Sequence, residues 1–171
     1  MYKRQVLAKQ SDIGERGWGL ILSAEAIGLL AMTLVMSRVR LERPLLFGMT
    51  GIGALALPMV MLGSYPQVVP VMAMAMLAGA GTEIFNLGWN LAMQEHIPDD
   101  MLSRAYSYDA LGSFVAIPIG QLLFGPLGVA FGVQRVILVG GLVYATIVAL
   151  TLMSRSVRNL ERVSTTSEPA P

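Results

Sequence analysis

Five long apolar runs fill most of this 171-residue chain, at 17–37, 45–63, 68–90, 106–128 and 136–153. Each has about the 20 residues needed to cross a hydrocarbon layer. The runs at 45–63 and 136–153 carry no charged residue at all. They lack the apolar–polar alternation of a membrane barrel strand and are about twice its length. The expected fold is therefore all-α: a polytopic transmembrane bundle, with the lipid bilayer as its surroundings. A polar lead-in, 1–16, precedes the 17–153 bundle, and a polar tail, 154–171, comes after it; the closing STTSEPAP reads as disordered.

Composition removes several function classes. Charged residues make up 13% of the chain, against about a quarter in a soluble domain. A net charge of +1 gives no basic footprint for nucleic acid. With no cysteine and a single histidine, disulfides, thiolate zinc sites and cysteine nucleophiles are excluded. The chain has no Gly-rich phosphate loop, HExxH or GxSxG, so neither a cofactor nor an enzyme is expected. The lead-in lacks a signal-peptide plan, and its first five residues, MYKRQ, fit poorly with the rest of the chain and read as non-native.

Lys and Arg in the short connections orient the spans. Arg38, Arg40 and Arg43 come after span one, Arg104 after span three, and Arg155, Arg158 and Arg162 after span five. The other side has Arg135, plus Lys3, Arg4, Lys9 and Arg16 in the lead-in. This bias puts the tail in the cytoplasm and the N-terminus outside.

Lipid supplies no hydrophobic drive between helices, so spans pack through small residues. Span four offers Gly112, Ala116 and Gly120, span five offers Gly141, Ala145 and Ala149, and span one offers Ala24 and Gly28. Pro58 and Pro118 lie inside spans two and four, where each removes a backbone hydrogen bond and is expected to kink its helix.

Ionisable groups at membrane depth are costly and normally face a cavity or a partner. Glu25 lies eight residues into span one, roughly 12 Å deep at helical rise. Its functional reading is proton coupling; the alternative is a neutral carboxyl bonded across a helix interface. Glu83 lies well inside span three, and Gly79, Glu83, Asn86 and Asn90 share one helical face, with Trp89 beside it. That face suits an aqueous cavity for a lipophilic guest, a cationic one included, with Met72, Met74, Met76 and Met93 nearby. The alternative is a packing carboxyl bonded to a neighbouring helix. Asp109, near the start of span four, is a second coupling candidate or a helix cap. His96, alone in a connection, reads as solvated.

The run FNLGWNLAMQEHIPDDMLSRAYSYDALGSFVAIPIGQLLFGPLG resembles the tenth-to-eleventh-helix region of major facilitator superfamily exporters. It is closest to efflux permeases of the enterobactin-exporter and macrolide-efflux type. The matching residues are Trp89, Gln94, Pro98, Arg104, Ser107, Asp109, Leu111, Gly112, Ser113 and Pro118. Upstream, Gly17, Gly19, Gly28, Arg38, Arg40 and Pro44 are similar to the eighth helix and its basic connection. The likeness runs from about residue 5 to residue 162.

The resemblance implies a proton-coupled secondary efflux transporter for a small lipophilic molecule, a drug or siderophore, in a bacterial inner membrane. The five spans would be helices eight to twelve of twelve, a C-terminal fragment whose partner is the missing N-terminal half. In that family the substrate lies between two halves that rock against each other. Glu83, Asn86, Asn90 and Trp89 would line the cavity, and Arg38, Arg40 and Arg104 would make cytoplasmic contacts. The family usually has small or apolar residues where Glu25 stands, so its coupling role is not carried over. Two other functions fit the residues alone. One is a complete five-span structural or assembly protein. The other is an intramembrane enzyme, for which Glu25 and Glu83 would have to pair.

Overall fold

The computed structural model describes residues 13–39 and 43–154; Arg40, most of the lead-in and nearly all of the tail lie outside the described residues. Among the described residues six helices succeed one another: α1 Gly14–Met36, α2 Pro44–Gly53, α3 Ala56–Ser64, α4 Val68–His96, α5 Asp99–Phe131 and α6 Val133–Met153. Joined end to end, α2 and α3 make one crossing, so among the described residues the helices long and apolar enough to span a membrane number five. Among the described residues there is no strand. The protein is an all-α membrane bundle.

The break in span two lies at Ala54–Leu55, four residues before Pro58 rather than at it. Pro58 has no N–H to offer the carbonyl of Ala54. That carbonyl instead accepts from Leu57 N at 3.0 Å, while Ala54 N and Leu55 N reach back three residues to Gly51 O and Ile52 O. The result is a tightened turn of 3₁₀ type. Pro118 behaves differently, since α5 runs unbroken through it and through Pro126.

The helices outrun the apolar stretches. With 29 and 33 residues, α4 and α5 are about 44 and 50 Å long at helical rise. Hydropathy registers the bilayer, whereas the hydrogen-bond ladder continues past it into polar sequence. Only Ile97 and Pro98 separate the two helices. Proline forces the residue before it out of the helical region, and Ile97 is extended at φ −110°, ψ 128°. Asp99 and Asp100 open the first turn of α5, where negative charge complements the helix dipole.

The spans form a row: α1, α4, the α2–α3 pair, α6 and then α5. Parallel to each other, α1 and α4 make the most extensive contact, through Gly17, Ile21, Ala24 and Gly28 on one face of α1. Near the start of both helices, Ile13, Ile21, Val71 and Ala75 form a buried cluster that Met61 and Leu62 of α3 close from the side. At the far end of the row, α5 buries no residue, and Phe114, Leu122 and Val129 are 77%, 73% and 90% exposed.

Candidate functional site

Small residues decide what α4 can touch. Gly79 sits against the backbone carbonyl of Glu25, and Gly28 sits against that of Met76, so the two glycines lock α1 and α4 from both sides. Gly81 and Gly88 do the same towards α2, meeting the carbonyls of Gly51 and Pro44. A side chain at any of these positions would have to force the helices apart. The same logic seats Gly141 of α6 on α3, where an added Cβ would lie 2.9 Å from Met59 Cβ.

One turn beyond Gly79, the α1–α4 interface turns polar. Thr33 Oγ1 lies 3.0 Å from Glu83 Oε1 and also 3.0 Å from the carbonyl of Leu29. A hydroxyl has one proton to donate and two lone pairs, so it cannot donate to both. The hydroxyl donates to Glu83 across the helix pair, with Leu29 O as its alternative acceptor. Glu25, half-buried, holds Gly79 through its backbone rather than through its carboxyl.

Farther along α4 the stripe leaves the interface. Asn86 and Asn90 are exposed; Asn90 Nδ2 donates to Asn86 O at 2.7 Å, and Tyr106 Oη of α5 donates to Asn90 Oδ1 at 3.0 Å. Trp89 stacks on Phe85 with ring centroids 6.0 Å apart and planes 19° from parallel. The single face expected for Gly79, Glu83, Asn86 and Asn90 is therefore divided: a packing glycine, a bridging carboxyl and an open amide pair reaching α5.

The other expected residues scatter. Because α5 begins at Asp99, Asp109 lies in the helix interior and exposed, not at a cap. Arg38 and Arg104 are both exposed, Arg104 beside Ser103, Ser107 and Tyr108. His96 Nδ1 lies 3.1 Å from Ala92 O. Gly28 packs, whereas Gly112 and Gly120 have nothing within 4 Å of where a Cβ would stand, and Ala116 is exposed. That small-residue row has no partner among the described residues. Sequence alone singles out neither Thr33 nor Tyr106. Thr33 leaves a faint signal, as one of three hydroxyl residues in span one with Ser23 and Ser37; Tyr106 leaves none that marks it as a partner for α4. Among the described residues, no three His, Asp or Glu side chains lie together as metal ligands do.

Five membrane-crossing helices, packed by glycine and joined by a few polar side chains, define a multi-pass membrane protein. The description of the Major Facilitator Superfamily matches residues 5–171, so the chain belongs to that superfamily of membrane transporters. No curated protein and no solved structure matched the chain.

Proposed function

We propose that this chain is part of a secondary active exporter of a small lipophilic molecule, driven by proton exchange. Its spans correspond to helices eight to twelve, and helix seven together with the N-terminal half of the same transporter completes it against α5. The observation that carries the reading is the Thr33–Glu83 bridge, a carboxyl held between two spans within one turn of the exposed Asn86 and two turns of the exposed Asn90. The bare face of α5 supports a missing neighbour. Glu25 is the secondary coupling candidate, just under one turn from the close contact at Gly28. The tail is assigned to the cytoplasm of a bacterial inner membrane.

The test is export of a lipophilic cationic dye from cells lacking their own efflux pumps. This chain alone should export nothing, and co-expression with helices one to seven of such a transporter should restore export. In the restored transporter Glu83→Gln should abolish proton-driven export while the protein still folds. Resistance conferred by this chain alone, or normal export with Glu83→Gln, would sink the proposal. A green fluorescent protein fused after Pro171 should fluoresce, whereas a fused periplasmic phosphatase should stay inactive.

A further inference from the structure

The α5–α6 hairpin carries an apolar groove with one charge at its mouth. Phe124, Leu127 and Phe131 of α5 face Val139, Gly140 and Val143 of α6 across a cavity of about 480 Å³. Gly140 leaves its floor low, with the Phe124 ring 3.3 Å from where a Cβ would stand. Both walls belong to helices long and apolar enough to span a membrane, so the groove lies along apolar, membrane-crossing sequence. Its one charged lining residue is Arg135, the third residue of α6. Arg135 also lines an adjoining cavity of about 460 Å³ with Trp18 and Gln134, at the end of the bundle where α5 turns into α6.

No acidic side chain pairs with Arg135 among the described residues. Arg135, Val139 and Val143 recur at intervals of four, on one face of α6. The groove therefore runs about 12 Å from the charge into the hydrocarbon layer. A guanidinium fits phosphate oxygens through several N–H donors at once, and Trp18 adds the aromatic edge usual at a membrane interface. We propose that this groove is a specific site for an anionic phospholipid: phosphate on Arg135, one acyl chain between α5 and α6. The charge and the groove are complementary to the two parts of that molecule. A zwitterionic lipid offers the same phosphate but offsets it with its own ammonium, and free phosphate satisfies only the charge.

The full chain, purified in detergent, is tested by native mass spectrometry with equal amounts of palmitoyl-oleoyl-phosphatidylglycerol and palmitoyl-oleoyl-phosphatidylcholine. The phosphatidylglycerol adduct should dominate by about fivefold, the effect of one basic residue beside an anionic headgroup. Arg135→Gln should remove that preference, Arg135→Lys should keep much of it, and Val139→Trp should lower the occupancy of both lipids. Equal retention by the wild-type chain, or an undiminished preference in Arg135→Gln, would overturn the site. Inorganic phosphate at millimolar concentration should leave the preference intact; its loss would mean that Arg135 reads free phosphate instead. A second measurement needs no variant: phosphatidylglycerol with a photoreactive acyl chain should crosslink to peptides containing Leu127, Val139 or Val143. Crosslinks spread evenly along the lipid-facing surface of α5 would count equally against the site.

Discussion

Thr33 Oγ1 stands 3.0 Å from Glu83 Oε1, fifty residues away in sequence and on a parallel helix. This bond is a polar tie inside an interface otherwise made by small and apolar residues. Hydrogen bonds between membrane helices contribute about 0.6 kcal/mol on average and about 1.7 at most. Thr33→Val should therefore lower stability by an amount in that range, read by unfolding in mixed micelles. Glu83→Gln keeps a carbonyl oxygen for Thr33 and should cost less than Glu83→Ala. Equal losses in those two would show that the oxygen is not what α1 recognises.

Glycine positions divide sharply. Gly28→Leu and Gly79→Leu would each drive a side chain into a backbone carbonyl on the other helix. Overpacking of that kind costs about 1–3 kcal/mol, and here it should also loosen α1 from α4. Gly112→Ala and Gly120→Ala meet nothing within 4 Å and should change the stability of this chain by less than about 0.5 kcal/mol. If a second half covers α5, those same alanines should weaken assembly without weakening the chain alone.

A chain without cysteine allows accessibility to be read at single introduced thiols. Asn86→Cys and Asn90→Cys should react quickly with a membrane-impermeant methanethiosulfonate reagent, because both positions are exposed beside polar neighbours. Phe114 and Leu122 are exposed too, but on an apolar surface, and Phe114→Cys and Leu122→Cys should react at least tenfold more slowly. Similar rates at all four would mean that Asn86 and Asn90 do not border water.

Pro58→Ala restores the N–H whose loss breaks span two. The new amide should bond to Ala54 O, displacing the 3.0 Å bond from Leu57 N, and should resist hydrogen exchange. A fast-exchanging amide at position 58 would show that packing of α2 against α4, rather than proline, holds the turn open.

The five crossings were legible in the sequence because twenty consecutive apolar residues leave few alternatives in water or lipid. Helix ends were less so: hydropathy falls away at Asn90, whereas α4 continues to His96. Proline signalled a distortion in span two, but its effect appears at the carbonyl four residues earlier, where no residue type advertises it. Glu83, Asn86 and Asn90 were legible as polar residues out of place. Their partners were not, since spacing along α4 cannot tell which helix brings Thr33 and which brings Tyr106. Gly79 shared their face by period, yet the neighbour it meets is a carbonyl of Glu25, a contact that carries no sequence signature.

The glycines of α4 have a mechanical consequence. With Gly79 pressed on α1, and Gly81 and Gly88 pressed on α2, α4 cannot roll or slide by one residue without wedging a side chain under a neighbour's backbone. The three helices form a stiff beam. Shape change in this bundle is therefore displaced to the beam's borders, where the ladder is already interrupted: the elbow at Ile97–Pro98 and the tightened turn at Ala54–Leu55. Beyond the first elbow lies α5; beyond the second, α3 packs against α6. Two joints and one beam are enough to let the outer helices move while Glu83 keeps its place.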